Sequence, residues 1–554
     1  MLSAIAAAKK GEYMLPGRPV EIVVSVLAFL IGLSVLPSAQ VLAAGTVTWD
    51  AGGGTDTTWS EELNWAGDAL PASDDLAQFG SAGSTATVDA SQTVNGLIFG
   101  RGAGFTVDGS QTLTLGASGI AVDDAEEYHV TAPLKTDVDQ SWSIATNGVL
   151  EANWAEKSTG PRTVTRTDPG TLVLTGYPTA GTNGVGFAAA EGVTQLNGAD
   201  AVLDAGSGVT IGTDGGPPAT LEYLADDQMS RGSLESIAAS GTLDLNAFSY
   251  VTQGLTMTGG TVQTDAGGVM VTSGPEVTFT YDATVDGGQA NFTGAGNLDL
   301  QGNTDTERIF DIAGHSGLAR EMVVNSQVIN SKENTIPRLK KTGAGTLEFA
   351  GDNTFTGTTE VQQGRLLITG NTTGQGSYTV SGGVLGGEGT IGLADGETLS
   401  VSGGTLAPGT STGVLTVDGD VSFSEAGTFG AEINGVTTPG IDYDQLVLTG
   451  SDLVLGGTLD ASFGAFSASP GDTVYLIDNQ SSGVTSGFFQ FTDDEIIGEY
   501  NGWGWAITYD ADAGVSLDGG NDVALYATPE PASALLGILM ALTLLAGRRK
   551  GVRG

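Results

Sequence analysis

The sequence predicts an all-β solenoid, and three observations predict it. Helical periodicity is almost absent between residues 45 and 527, where apolar and polar residues alternate in short runs. Glycine is abundant, at 87 of 554 residues, and it punctuates those runs. A Gly-Thr-Leu unit recurs at Gly170-Thr171-Leu172, Gly241-Thr242-Leu243, Gly345-Thr346-Leu347, Gly404-Thr405-Leu406 and Gly457-Thr458-Leu459. A longer unit also recurs, with residues 294–300 (GAGNLDL) parallel to residues 343–349 (GAGTLEF). Short strands joined by glycine turns and repeated along a chain read as stacked coils.

Each element follows from the same logic. Period two puts Leu172 and Leu174 on one face and Val173 on the other. One unit cannot bury its apolar face alone. A second unit stacked about 4.8 Å away pairs the backbones and extends the core. At roughly 20–25 residues per coil the body makes about 20 coils and a rod on the order of 100 Å long. Its ends need caps, because open sheet edges template aggregation. The repeat region is expected over 44–425. Residues 305–341 lack the Gly-Thr-Leu rhythm and read as a side insertion. Residues 426–527 gain aromatics, among them Phe429, Tyr443, Phe463, Trp503 and Trp505, and read as a β-rich capping module.

Composition narrows the function. Acidic residues number 64 and basic ones 20, and seven of the basic ones sit in the two ends. An acidic body repels phosphate backbones, so nucleic acid is excluded as a partner. The chain has no cysteine, which removes disulfides, thiolate metal sites and cysteine nucleophiles.

The N-terminus reads as a secretory signal over 1–43. Lys9, Lys10 and Arg18 precede an apolar run from Ile22 to Leu36, and Pro37 breaks it. The expected cut falls between Ala43 and Ala44. The C-terminal segment 528–554 holds Thr528-Pro529-Glu530-Pro531, an apolar stretch from Ala532 to Ala546, and Arg548, Arg549 and Lys550. A basic cluster after a single apolar helix keeps that end in the cytoplasm and the body outside. These three elements, in this order, resemble a PEP-CTERM sorting signal. The resemblance covers about the last 27 residues. It implies export machinery and an exosortase-like sorting enzyme as partners. Pro529, Glu530 and Pro531 would be the recognition motif, and the helix would sit transiently in the inner membrane. It also implies a place at the cell surface or in extracellular matrix, with polysaccharide as a candidate contact. A plain uncleaved anchor on a coat protein is the alternative.

A second resemblance lies in the body. Residues 341–351 (KTGAGTLEFAG), 352–359 (DNTFTGTT) and 361–366 (VQQGRL) are similar to autotransporter-associated β-strand repeats. Trp49, Trp59, Asn64, Trp65, Pro71, Asp75 and Phe79 resemble the N-terminal signature of such exported chains. Leu406-Ala407-Pro408-Gly409 and residues 442–446 (DYDQL) resemble the ending of PEP-CTERM members. The family fold implied is a right-handed parallel β-helix. A true autotransporter ends in a membrane barrel of long strands, whereas this chain ends in one short apolar helix.

Chemistry is sparsely signalled. A Ser-His-Asp arrangement would need His129 or His315, the two histidines present. Acid pairs at Asp74-Asp75, Asp123-Asp124, Asp226-Asp227 and Asp493-Asp494 read as turn residues, since strand neighbours face opposite ways. The residues 518–522 (DGGND) have the oxygen-rich look of a Ca2+ loop but occur once. Trp49, Trp59 and Trp65 read as an end plug in preference to a sugar platform. The expectation is a non-enzymatic structural or adhesive protein with no cofactor. The competing class is a β-helical polysaccharide lyase or glycosidase, with the basic stretch Arg308 to Lys341 supplying its cation.

Overall fold

The computed structural model describes residues 45–80, 82–102, 104–155, 162–176, 185–199, 201–203, 208–284, 287–301, 306–332, 336–450 and 452–528. The signal peptide with Ala43 and Ala44, and the tail with Pro529, Glu530, Pro531, Arg548, Arg549 and Lys550, lie outside the described residues.

The body, 45–528, is a parallel β-solenoid. Strands alternate between a first ladder, from Thr46–Thr48 to Thr485–Gly487, and a second ladder, from Thr85–Val88 to Thr458–Phe463. A third face carries two shorter ladders. One runs from Ser249–Thr252 to Gln327–Ile329, and the other from Asn371–Gln375 to Thr473–Asn479. All rung-to-rung pairings in these ladders are parallel. Parallel strands joined by turns around a core close the backbone hydrogen bonds from coil to coil.

Register places like on like. Leu347, Leu366, Leu385, Leu406, Phe429 and Leu459 stack on six successive rungs of the second ladder. All six are buried. Burying one such side chain contributes about 1.5–3 kcal/mol, so each column acts as a continuous core.

The five Gly-Thr-Leu units have one job. Each opens a strand of the second ladder: Thr171–Leu174, Gly241–Asp244, Thr346–Phe349, Thr405–Pro408 and Thr458–Phe463. The glycine marks the corner, where the chain lies against the previous coil. A Cβ on Gly170 would stand 2.4 Å from the carbonyl oxygen of Ala145, and one on Gly345 2.6 Å from that of Ala313.

Gly364 is more constrained. Its φ is +64°, and a Cβ would lie 2.4 Å from the carbonyl oxygens of both Gly343 and Gly345. Gly364→Ala is therefore expected to destabilise the fold by about 2 kcal/mol or more, from positive-φ strain plus backbone contact. The urea midpoint of the variant checks this. An unchanged midpoint would contradict the packing described for that corner.

Residues 305–341 are not a side insertion. Glu307–Ile312 and Arg338–Thr342 are consecutive rungs of the first ladder, with Phe310 paired to Lys341. Met322–Val324 is a rung of the second ladder and Gln327–Ile329 of the third face. The rhythm vanishes because the corner glycines are replaced by longer turns, not because the coil stops. Among the described residues the second ladder has 17 strands, so it spans roughly 75–80 Å at the strand spacing. Coils wider than expected, such as the 30 residues from Phe429 to Leu459, shorten the stack relative to 100 Å.

Both ends are covered. At the N-terminal end, Thr58 bridges Thr87 on the outer edge of the first strand of the second ladder. There Trp49, Trp59 and Trp65 are buried against one another and against Phe79. The tryptophans are thus a plug, and burial removes them as a sugar platform. At the other end, parallel winding continues to Gly487, well past the expected boundary at 426. The cap proper is an antiparallel set, Ile496–Tyr500, Trp503–Ala511 and Asp522–Thr528, laid on the edge strand Thr473–Asn479. Gln490 covers the second ladder. Its side-chain oxygen accepts from the Leu459 N–H at 2.6 Å and its amide donates to the Leu459 carbonyl at 3.0 Å, where a further rung would bond.

Candidate functional site

The acids and histidines singled out in the sequence are spread along the coils. Asp75 accepts backbone N–H groups from Gly45 and Ala72, Asp124 from Gly102, and Asp226 from Ser249. Asp493 accepts from the Tyr509 N–H, and Asp494 from the Tyr526 hydroxyl. These carboxylates hold one turn to the next. His129 lies on the outer face of the second ladder, with Nδ1 2.9 Å from Glu151 on the next rung and Nε2 3.7 Å from Glu127. Both ring nitrogens thus face carboxylates, a pairing with no nucleophile in it. His315 Nδ1 accepts the N–H of Gly317, and its own N–H donates to Glu321.

In the segment 518–522 the Asn521 and Asp522 side chains are engaged with neighbouring backbone. Asp522 accepts from the N–H groups of Asn479 and Ala513, while Asn521 donates to the carbonyls of Ser481 and Gly483. Among the described residues no three His, Asp or Glu side chains gather in a way that could hold a metal ion.

The basic stretch also divides. Arg308 and Lys341 point inward and are fully buried. Lys341 Nζ donates to the carbonyls of Thr342 at 2.6 Å, Gly343 at 2.9 Å and Gln363 at 3.2 Å. Burial lowers its pKa to about 8, against a partial opposing pull from Asp311 and Glu321. Arg308 donates to Thr272 Oγ1 and to the carbonyls of Gly274, Glu307 and Gln301. Arg166, at an inward position of an earlier rung, donates likewise to the carbonyls of Thr167, Asp168 and Gly170. These cations satisfy turn carbonyls inside the coil, so Arg308 and Lys341 cannot serve a surface reaction. Lys340 is outside and pairs with Glu307 at 2.9 Å.

Two concavities on the second ladder meet at Arg365. The first, about 340 Å3, is walled by Gln289, Leu318, Arg320, Thr346, Leu367 and Thr410. The second, about 250 Å3, carries Ser411, Glu432, Asp444 and Asp460. Thr346 and Arg365 are partners on adjacent rungs. Arg320 Nε lies 2.8 Å from Glu348 Oε2. Arg365 donates from Nη2 to the Gly409 carbonyl at 3.1 Å, and its buried Nε has no partner among the described residues. Asp444 accepts from the N–H groups of Gly413 and Glu432, each at 2.8 Å. Desolvation nevertheless pushes its pKa up to about 7. No motif announced this place, since its walls come from coils up to 171 residues apart, Gln289 to Asp460.

Residues 339–368, the coil that ends beside Arg365, match the Passenger-associated-transport-repeat family model. The chain carries a passenger-type repeat. The match covers the strands Thr346–Phe349, Thr359–Val361 and Arg365–Ile368 and the buried Lys341. An Extracellular serine protease of Serratia marcescens is 39% identical over 95 residues, covering 17% of this chain and 9% of the protease. The Adhesin BmaC autotransporter of Brucella suis is 33% identical over 132 residues, covering 23% of this chain and 4% of the adhesin. The chain therefore spans less than a tenth of the length of either relative.

Proposed function

We propose that this protein is an exported surface or extracellular-matrix protein whose solenoid is a structural or adhesive stalk. The observation that carries the reading is the parallel ladder, continuous in its pairings and covered at both ends. Such a stack buries its core along one axis and displays a long outer face, on which many weak contacts add through avidity. The passenger-type repeat and the partial similarity to an adhesin support the same reading. On this reading the segment 1–43 directs export, and Pro529 to Lys550 form a PEP-CTERM tail read by an exosortase-like enzyme. Truncation before Pro529 is expected to remove the protein from the surface fraction. Undiminished surface display of the truncated chain, scored by protease accessibility on whole cells, would refute the sorting role.

A second reading, an enzyme acting on polysaccharide, is favoured by one feature. Asp444 has a pKa of about 7 and lines a groove with Glu432 and Asp460, the ingredients of paired-carboxylate hydrolysis. Against it, both Asp444 oxygens are committed to backbone amides, which is a structural task. Asp444→Asn separates the two. Loss of new reducing ends on a polysaccharide panel at an unchanged urea midpoint would favour the enzyme.

A further inference from the structure

We propose that the groove between Arg320 and Arg365 binds the anionic group of an acidic sugar. This rests on the surface-stalk reading and gives its outer face a chemistry.

Basic side chains are scarce in the body. The body holds thirteen basic residues. Three described ones are spent inside the coil on turn carbonyls: Arg166, Arg308 and Lys341. Lys135 and Lys340 are paired with Asp137 and Glu307. Arg320, although paired with Glu348, and Arg365 open onto one concavity. Arg320 is anchored by Glu348, which fixes its guanidinium at the wall. Arg365 is anchored on this side by a neutral carbonyl, Gly409, while its other side borders the concavity of Glu432, Asp444 and Asp460. The Nη groups of Arg365, beyond the one hydrogen given to Gly409, keep donors for the oxygens of a carboxylate or sulfate.

The rest of the lining selects a sugar. Thr346 offers a hydroxyl, Thr410 a hydroxyl oxygen whose proton goes to Glu388, and Gln289 an amide whose nitrogen also donates to the Arg320 carbonyl, and Leu318 and Leu367 offer small apolar surfaces. The volume, about 340 Å3, suits a ligand of one or two rings and lies at the low end of small-molecule sites. A peptide would be held by adding a strand to an open sheet edge. Here the rungs Thr346–Phe349 and Arg365–Ile368 are paired on both sides, so no edge is available. The surrounding acidity would repel a ligand from afar, but at 0.15 M salt that field decays over about 8 Å, and within that distance Arg320 and Arg365 stand against Glu348 and Glu388.

The test uses the full chain in 0.15 M salt, titrated with glucuronate, glucose 6-sulfate, glucose and penta-glutamate by ligand-observed NMR. Saturable binding of glucuronate or glucose 6-sulfate is expected, with glucose at least tenfold weaker; the tighter of the two acids identifies carboxylate or sulfate. Arg365→Met should weaken binding tenfold or more, and Arg320→Met several-fold. Should Arg365→Met fail to fold by circular dichroism, Arg365→Lys keeps the charge, loses the fork, and should still bind about tenfold more weakly. Absence of binding, equal binding of glucose, equal binding of penta-glutamate, or binding indifferent to Arg365 each overturns the proposal. None of these outcomes touches the stalk reading, which falls on cell-surface location instead.

Discussion

Replacing Trp65 by alanine is expected to cost the N-terminal coils about 3–5 kcal/mol, the range for removing a large buried aromatic. Trp65 is fully buried, with its ring centroid 4.8 Å from Trp59, 5.1 Å from Trp49 and 5.7 Å from Phe79. Its Nε1–H donates to the Trp59 carbonyl at 2.9 Å, so the substitution also orphans an acceptor. In a stack whose coils touch only their neighbours, the damage stays near the end. Hydrogen exchange should quicken at Leu76–Phe79 and Thr85–Val88 and stay unchanged at Arg365–Ile368. Uniform exchange along the chain would contradict the capped-stack account, as would no effect at all.

The second large effect concerns Lys341 and pH. Its folded pKa, about 8, lies below the ordinary 10.5 because burial disfavours the charged form. Between pH 8 and 10.5 the unfolded chain therefore holds a proton that the folded chain has lost. Stability must rise with pH across that window, by up to about 3 kcal/mol for this group. Lys341→Met removes the dependence. At pH 7 the variant also leaves the carbonyls of Thr342, Gly343 and Gln363 without this donor, at about 1–3 kcal/mol each. That total exceeds the relief of about 3 kcal/mol from removing a buried charge, so the variant should be less stable. Urea midpoints of both proteins at pH 7, 8, 9 and 10 check this. A gap between them that narrows with rising pH would refute the assignment.

What was legible in the sequence was whatever repeats locally. The Gly-Thr-Leu units marked corners, because a Cβ there meets the backbone of the previous coil. The alternation in Thr171–Leu174 showed which side chains face inward, since strand geometry enforces it. What was hidden depends on contacts between coils. Glu307–Ile312 and Arg338–Thr342 lack the Gly-Thr-Leu rhythm and so read as an insertion, yet they pair as successive rungs, with Arg308 and Lys341 pointing inward to cap turns. The groove at Arg365 was invisible for a related reason. Arg320, Arg365 and Thr410 come together only when five rungs, from Met322–Val324 to Thr405–Pro408, stack in register, and no short-range spacing encodes that register. The aromatics from Phe429 onward suggest a cap that begins at 426, whereas Phe429 stacks on Leu406 as an ordinary rung.

The central claim, that this solenoid is displayed outside the cytoplasm after processing at both ends, is tested most directly by mapping termini. Native cells are fractionated, and the surface and released fractions are analysed by mass spectrometry. The account predicts a chain that begins near Ala44 and lacks the apolar stretch after Pro531. An intact chain retained in the inner membrane, with residues 532–554 present, would contradict it and leave an anchored coat protein in its place.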